Sequence, residues 1–477
     1  MEDIYLFGAG QKGRYWLRCL KSFGVMPSGF IDNNPELAGS LVDGVQVYGA
    51  AHSKAFSSGY ILVTCNDEEE ICRQLLELEF PEEKIVHGLH NITNHILYYA
   101  VNRIPSISSG RNTRKSLSGR KVLFDLQNGM VLGGVEAWSY ELAGRLCQQG
   151  IQGMYLTTET GLQRVGQAVY PVQVFRFEQP LEERERIETY VEGITEHLPC
   201  TVICNFPWYI FWAACIARKR YPDQVRIIAV QHSDDATYYK SYGLWKEYID
   251  KCLTISSLIE KKILSCGVEG EKLARLEWKV PCEEKLDRMW SPEDRRLQIG
   301  YAGRITVTQK RVDLLPVLAA ELRRRGVCFQ MNIAGTGNYA EALEEKIKEE
   351  NLQDHVVLAG YLEREAIPLF WRKQDIMVSC SEWEGHSISQ AEAMAGGAVP
   401  VLTDVSGVRD DVADGSNGFV VEVGNVEALA DRICRLYRDR GMLKKMGQNA
   451  HDTICRRQQL LDQTTFWTEL LEEVWQR

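Results

Sequence analysis

Residues 381–397 constrain the fold of this chain most, because they join two apolar runs that have the composition of buried strands, residues 375–381 and 398–403. The small-residue stretch between these runs predicts a helix. The order strand, helix, strand is typical of a parallel βαβ unit. Glu384 and Glu392 are separated by seven residues within it. The first follows the strand, and we expect the second about two turns inside the helix.

The loop before this helix has the features of an anion site. We expect the backbone N–H groups of Gly385, His386 and Ser387 at the helix N-terminus, where the helix dipole favours negative charge. A carboxylate two turns further on can accept hydrogen bonds from the hydroxyl groups of a ligand whose phosphates lie at the helix tip. The alternative is an ordinary helix with two solvated glutamates, which the spacing by itself would favour.

Other motifs of the second half support the ligand-binding interpretation. They are Gly303-Arg304, Lys310, residues 334–337 and the segment 407–418. With the E-x7-E spacing, they resemble retaining glycosyltransferases with the GT-B fold, especially glycosyltransferase family four. The resemblance covers roughly residue 121 to the C-terminus. It implies an α/β protein with the GT-B fold, two Rossmann-like domains that face a cleft, and transfer of a sugar from a nucleotide sugar.

The resemblance also implies roles for four candidate catalytic residues: Arg304, Lys310, Glu384 and His232. Negative charge grows on the leaving diphosphate as the glycosidic bond breaks, and fixed positive charge stabilises it. Arg304 and Lys310 match the diphosphate-binding pair of the family. Glu384 and Glu392 match the glutamates that hold the donor sugar and the ribose. His232 resembles the histidine beside the reacting sugar, although a histidine after a strand can equally be structural.

The remaining donor contacts follow from the same resemblance. Glycines at the ends of strands let the backbone approach a nucleotide closely, and the segment after the strand at 356–360 matches the one whose backbone contacts the base. The expected donor-binding residues are Gly133, Gly134, Gly303, Gly335, Gly337, Tyr361, Leu362, Gly385, His386, Ser387, Ile388 and Glu392. We expect no cofactor and no metal, because the family lacks a D-x-D metal site. Residues 278–281 depart from the family pattern, so no acceptor-side role is transferred to them.

Three blocks of alternating strands and helices follow one another, as expected for 477 residues. The first is a third, small Rossmann-like domain that precedes the GT-B fold. We expect it to have a parallel sheet and to be self-contained. The expected boundaries are residues 1–102 for this domain, 103–120 for a basic linker, 121–290 for the acceptor-side domain and 291–477 for the nucleotide-sugar-binding domain, whose last helix crosses back onto the acceptor-side domain.

The first block carries its own glycine motif. Gly8, Gly10 and Gly13 follow a strand, and Asp32 ends the next one, which is the form of a dinucleotide-binding fingerprint. A block of about one hundred residues without a substrate domain does not fit a dehydrogenase. Two interpretations stay open: a second nucleotide or nucleotide-sugar site, or a purely structural role.

Composition limits the partners and the compartment. A net charge of -10 argues against nucleic-acid binding. The 14 cysteines, without a signal peptide or a C-x-x-C pair, predict reduced thiols in the cytoplasm. The basic segment 103–120 favours a flexible linker, with peripheral contact to the inner membrane surface as the alternative. The expected partners are a nucleotide sugar and a glycan or lipid-linked acceptor.

These observations predict a hexosyltransferase-type retaining glycosyltransferase of cell-surface polysaccharide biosynthesis that needs no metal. Two alternatives differ in chemistry. A GT-B nucleotide-sugar epimerase would need acid and base residues around the sugar. A nucleotide-sugar-binding regulator without catalytic activity would not need the charged set of Arg304, Lys310 and the two glutamates.

Overall fold

The computed structural model describes residues 3–101, 103–107, 119–127, 134–158, 169–177, 182–459 and 462–476. Three sheets of six, seven and six strands follow one another along these residues. Helices connect many of the successive strands in each block, as a mainly parallel sheet requires. Within the described residues, no helix combines the length and the apolar character needed to cross a bilayer.

The first sheet has the strand order β3-β4-β2-β1-β5-β6. Its elements are β1 (Ile4–Phe7), α1 (Gln11–Ser22), β2 (Gly29–Asp32), β3 (Leu41–Val42), β4 (Val45–Gly49), β5 (Tyr60–Val63), α2 (Glu68–Glu77), β6 (Ile85–Val86) and α3 (Leu89–Val101). The expected all-parallel sheet is wrong at one edge, where β3 and β4 pair antiparallel. Asp43 and Gly44 join them with positive φ angles of 51° and 81°, as a tight hairpin turn requires.

The second sheet is parallel throughout, in the order β13-β12-β11-β10-β7-β8-β9. Its strands are β7 (Lys121–Leu126), β8 (Gln152–Thr158), β9 (Val172–Phe175), β10 (Cys200–Cys204), β11 (Val225–Gln231), β12 (Lys251–Thr254) and β13 (Leu273–Arg275). Its helices are α4 (Gly134–Gln148), α5 (Glu183–Thr195), α6 (Tyr209–Arg220), α7 (Ala236–Leu244) and α8 (Ser257–Ser265).

The third sheet is also parallel, in the order β16-β15-β14-β17-β18-β19. Its strands are β14 (Leu297–Ala302), β15 (Phe329–Ala334), β16 (Val356–Gly360), β17 (Ile376–Ser379), β18 (Val399–Thr403) and β19 (Phe419–Val421). The helices are α9 (Leu314–Arg324), α10 (Ala340–Glu349), α11 (Ile367–Arg372), α12 (Ile388–Ala395), α13 (Val408–Asp411), α14 (Val426–Arg438), α15 (Arg440–Gln459) and α16 (Gln463–Gln476).

Each of the second and third sheets has a topological switch point. The chain builds outward in one direction from β7 and from β14, and then returns to build outward in the other direction from β10 and from β17. In open parallel sheets, ligands bind in the crevice beyond the carboxyl ends of the strands at such points. The loops after β14 and β17 are therefore the expected site in the third sheet.

The last helix, α16, returns to the second sheet. Trp467, Leu470 and Leu471 are buried in the same hydrophobic core as the strands of that sheet. The chain therefore crosses between the second and third sheets twice. The first crossing covers residues 276–296, and the second crossing runs from the end of α15 to the start of α16.

The first block packs firmly against the second one through α3. Leu97 and Val101 of α3 belong to the core of the second sheet. Trp245 donates from Nε1 to Asn94 Oδ1 at 2.7 Å, and both residues are buried. This shared core differs from the expected self-contained block. Residues 108–118 of the expected linker lie outside the described residues, but Arg120 is buried with its guanidinium 4.3 Å from the ring centre of Trp475.

Candidate active site

Glu384 lies at the centre of a charged cluster beyond the ends of β14 and β17. Its Oε1 is 2.5 Å from Lys310 Nζ and accepts a hydrogen bond of 2.7 Å from Ser381 Oγ. The side chain of Glu384 is buried and that of Lys310 is half-buried. The sequence predicts that Lys310 contacts the diphosphate of the donor and that Glu384 contacts its sugar. The structure brings them into direct contact, so each fixes the position of the other.

Gln309 connects this pair to Arg304. Its Oε1 accepts a hydrogen bond of 2.6 Å from Arg304 Nη2, and its Nε2 lies 3.2 Å from Trp383 O and 3.4 Å from Glu384 Oε2. Arg304 follows β14, and Lys310 lies in the turn that precedes α9. Sequence reasoning missed Gln309, and only its position before Lys310 could have indicated it.

Helix α12 begins later than the sequence suggested. Ser387 is its N-cap, and the Oγ of Ser387 accepts a hydrogen bond from Gln390 N. Ile388 is the first helical residue. Glu392 therefore lies just over one turn into the helix, so the expected two turns are wrong. Gly385 precedes the cap and packs so tightly against the His232 carbonyl that a side chain there would clash.

The His386 side chain points away from the charged cluster. Its Nε2 lies 3.0 Å from Asp411 Oδ2, and both side chains are buried. Burial alone would raise the pKa of Asp411, but the contact with His386 and the charge of Arg457 hold it below its usual range. The side chain of His386 thus anchors the loop to α13. His386 can therefore contribute to ligand binding only through its backbone.

Glu392 lines a cavity of about 700 Å³ between the second and third sheets. Burial raises the pKa of Glu392 to about 7. A carboxyl group in such a place is stabilised by hydrogen bonds that the hydroxyl groups of a ligand donate to it. Other residues that line the cavity are Gly134, Trp138, Trp278, Tyr361, Leu362, Ile388 and Ser389. The predicted contacts Gly134, Tyr361, Leu362, Ile388 and Glu392 are therefore brought together.

His232 follows β11 and lies between two tryptophans. Its ring centre is 5.2 Å from that of Trp138 and 6.0 Å from that of Trp278. His232 Nε2 is 2.9 Å from Asn205 Oδ1, and the Asn205 amide nitrogen already donates to the Asp125 carbonyl. The histidine therefore donates from Nε2. Burial lowers its pKa to about 3, so His232 is neutral at physiological pH. Sequence reasoning missed Trp138 and transferred no role to the segment that contains Trp278.

The glycines of the third sheet serve loop packing. Gly335 has a φ of 136°, and a side chain on it would clash with the carbonyl of Gly303. A side chain on Gly337 would likewise clash with the carbonyl of Ile305. The loops after β14 and β15 therefore need these glycines to lie against each other. Gly133 lies outside the described residues.

The glycine motif of the first block is satisfied by its own backbone. Gly8 has a φ of 105°, and Gly13 packs against the Gly8 carbonyl without room for a side chain. Asp32 Oδ2 accepts a hydrogen bond of 2.7 Å from Ala9 N, and its Oδ1 accepts one of 2.8 Å from Asn34 N. Both carboxylate oxygens thus already hold loops, which favours the structural interpretation. Gly10 is the N-cap of α1 and has open space around it.

The structure also pairs two of the cysteines. Cys282 and Cys455 form a disulfide with a Cα–Cα distance of 5.6 Å. The expectation that all the cysteines are reduced is therefore wrong for this pair. The other twelve are free. Sequence could not indicate the pair, because its members are 173 residues apart.

Comparison with known proteins agrees with this architecture. Residues 283–453 match the family of group 1 glycosyl transferases, and residues 1–86 match a second family, C2185-like, N-terminal. A solved structure of Alr3699/HepE from Anabaena in complex with UDP superposes with a TM-score of 0.59 and 16% identity, over 74% of this chain and 98% of that one. The chain therefore has the GT-B glycosyltransferase fold, preceded by an additional N-terminal domain.

Two curated relatives are similar over shorter segments. The alpha-D-kanosaminyltransferase of Streptomyces kanamyceticus is 34% identical over 157 residues, which cover 33% of this chain and 40% of that protein. The poly(ribitol-phosphate) alpha-N-acetylglucosaminyltransferase of Staphylococcus aureus is 28% identical over 178 residues, or 37% of this chain and 34% of that protein. The chain thus spans less than half the length of these relatives.

Proposed function

We propose that this protein is a retaining glycosyltransferase that transfers a hexose-type sugar from a nucleotide sugar to an acceptor. The observation that carries the proposal is the cluster of Arg304, Lys310 and Glu384 at the switch point of the third sheet. Two cations held beside a carboxylate at this place fit a ligand that carries both a diphosphate and sugar hydroxyl groups. The matched family and the GT-B fold support the same interpretation.

The donor is expected to lie along the third domain. The diphosphate binds between Arg304, Lys310 and the start of α12, and the sugar lies beside Glu384. The ribose hydroxyl groups reach Glu392, and the base lies near Tyr361. Lys310 must then divide its interaction between Glu384 and the phosphate. As the glycosidic bond breaks, the two cations stabilise the charge that grows on the leaving phosphate oxygen.

Retention of the anomeric configuration is inferred from the resemblance to family four. Glu384 is engaged by Lys310 and Ser381, which suits binding of sugar hydroxyl groups more than nucleophilic attack. His232 is neutral, so its free Nδ1 can accept a hydrogen bond but His232 is a poor general acid. The departing phosphate oxygen is then the base that accepts the proton of the acceptor hydroxyl group. We also propose that no divalent metal takes part.

The acceptor is proposed to be a growing glycan or a lipid-linked glycan of cell-surface polysaccharide biosynthesis. The relative from Staphylococcus aureus acts on a poly(ribitol-phosphate) by its name, which supports a polymeric acceptor. Peripheral contact with an anionic membrane surface from the cytoplasmic side is part of the proposal. Sedimentation with vesicles that contain an anionic phospholipid tests this contact. The buried Arg120 leaves less of the basic segment available for it.

A thermal-shift screen across nucleotide sugars, followed by an assay of nucleoside diphosphate release, tests the proposal. A ligand at about one hundred times its Kd stabilises the folded chain by ~2.7 kcal/mol. One donor should shift the melting temperature and be consumed with an acceptor. Interconversion of the donor sugar without release of diphosphate would indicate an epimerase. Binding without turnover for all acceptors would indicate a regulator.

A further inference from the structure

The disulfide between Cys282 and Cys455 joins the first crossing between the domains of the GT-B fold to the last turns of α15, directly before the second crossing. Cys282 lies in the first crossing, and Cys455 lies near the end of α15, where the second crossing begins. Hydrogen bonds hold the same two segments together. Val280 N donates to Gln458 Oε1 at 3.1 Å, and Gln458 Nε2 donates to the Trp278 carbonyl at 2.9 Å.

The crossings are where relative motion of the two domains must be accommodated. Hinge motions are absorbed by a few residues in the segments that connect domains. A covalent bond between the first crossing and the end of the helix that leads into the second crossing removes freedom that hydrogen bonds would leave. Cys282 and Cys455 are 173 residues apart in the sequence, and the segment between them contains almost the whole nucleotide-binding domain.

The pair is also reachable from the cavity of the candidate active site. Cys282 is half-buried and, with His451, lines the same 700 Å³ cavity as Glu392. His451 Nδ1 is 2.7 Å from the Ala395 carbonyl at the end of α12, so it donates its proton there. His451 Nε2 then faces Cys455 Sγ at 3.4 Å with its lone pair. The cysteine pair thus connects to the helix that carries Glu392.

The other cysteines indicate the environment in which this pair exists. Twelve free thiols remain, and those of Cys147 and Cys328 are exposed. Exposed free thiols are typical of proteins in a reducing compartment. In such a compartment, a single disulfide is more often a redox-sensing or transient bond than a structural one.

We propose that Cys282 and Cys455 form a reversible thiol–disulfide exchange site that restricts the hinge of the two domains when oxidised. The co-reactant is a dithiol. One of its thiolates attacks the more exposed sulfur, Cys282 Sγ, and the S–S bond breaks with Cys455 Sγ as the leaving thiolate. The second thiol of the dithiol then releases Cys282. Two electrons and two protons pass to the pair, and the dithiol becomes a disulfide. His451 Nε2 is placed to hold the proton exchanged with Cys455.

Peptide mass spectrometry of the full chain gives the first test. After mild oxidation, a linked peptide pair that contains Cys282 and Cys455 should be found, and dithiothreitol should remove it. Hydrogen exchange of residues 276–296 should be faster in the reduced form. These two readouts do not depend on the proposed function. Absence of the linked peptide pair, or identical exchange in both forms, would overturn the inference.

Donor turnover gives the second test, and this readout rests on the proposed function. Oxidised protein should turn over the donor about tenfold more slowly or worse than reduced protein, because a restricted hinge misplaces the reacting groups. Cys282→Ser should be insensitive to oxidation, and Cys328→Ser, at an exposed free thiol, should respond like the unaltered chain. Equal turnover in both redox forms would refute regulation even if the linked peptides are found.

A metal is the competing occupant of this cluster. Cys282, His451 and Cys455 have ligand atoms within 4.8 Å of one another. Elemental analysis of the reduced chain after incubation with zinc, with Cys455→Ser as the comparison, distinguishes the two. We expect no stoichiometric zinc. One zinc ion per chain that is lost in Cys455→Ser would assign the cluster to metal binding and contradict the exchange site.

Discussion

Replacing Glu392 by glutamine should stabilise the unliganded protein at alkaline pH. Burial raises the pKa of Glu392 to about 7 from an ordinary value of 4.5. At about 1.4 kcal/mol for each pKa unit, the ionised side chain costs roughly 3 kcal/mol of folding free energy. The amide of Glu392→Gln carries no charge and avoids this cost. This figure is an upper value, since water can enter the cavity beside the carboxylate.

The pH dependence gives the sign of the effect. Below about pH 4.5, the carboxyl is protonated in both the folded and the unfolded chain, so Glu392→Gln and the unaltered protein should be equally stable. As the pH rises from 4.5 through 7, the unfolded chain releases the proton first, and the unaltered protein loses stability. The advantage of the variant should therefore grow over this range and be constant above it.

Thermal unfolding of both proteins at pH 5 and pH 8 measures this difference. Glu345→Gln, at an exposed position on α10, is the matched control and should show little change at either pH. The same Glu392→Gln variant should bind nucleoside diphosphate roughly 10-fold to 100-fold more weakly, the scale for losing a hydrogen bond to a charged group. If the variant is no more stable than the unaltered chain at pH 8, the ionised Glu392 does not destabilise the folded protein.

Changes at the candidate site, removal of metal and loss of the first block test the rest of the structure. Lys310→Ala and Arg304→Ala should each lower turnover by about 10²–10³-fold, the scale for one stabiliser of transition-state charge. The control Lys348→Ala, on the exposed face of α10, should not lower turnover. Near-normal turnover in Lys310→Ala and Arg304→Ala would remove both residues from the site. Turnover should survive EDTA, and its loss with recovery on added manganese or magnesium would show a metal requirement. A chain that begins at residue 121 lacks α3 and should melt at a lower temperature than the full chain. Asn94→Ala should lower the melting temperature to a smaller extent. Equal melting temperatures would show that α3 adds nothing to the stability of the second core.

Interior strands of the third sheet were predictable to within two residues. The limits of β14 and β18 lie close to those of apolar runs in the sequence, because parallel strands buried on both faces carry nearly continuous hydrophobic residues. The short edge strand β13 was not predictable in this way. The strand Leu273–Arg275 is only half-buried, so its sequence shows no clear apolar run.

The composition of the site was predictable in part. The residues after β14 and β17 were found because a family motif marks them, but the direct contact of Lys310 with Glu384 depends on how two distant loops pack. Gln309 and Trp278 belong to no motif. The disulfide depends on the first crossing packing against the end of α15, and sequence spacing carries no information about that.

We propose that the cluster of Arg304, Lys310 and Glu384 binds a nucleotide sugar and promotes its cleavage. Release of nucleoside diphosphate from a panel of nucleotide sugars tests this proposal, measured for the unaltered protein, for Lys310→Ala and for Lys348→Ala. We expect that at least one donor is cleaved, that Lys310→Ala loses about 10²–10³-fold of that rate and that Lys348→Ala keeps it. Cleavage of no donor by the unaltered protein, or equal rates in Lys310→Ala, would contradict it.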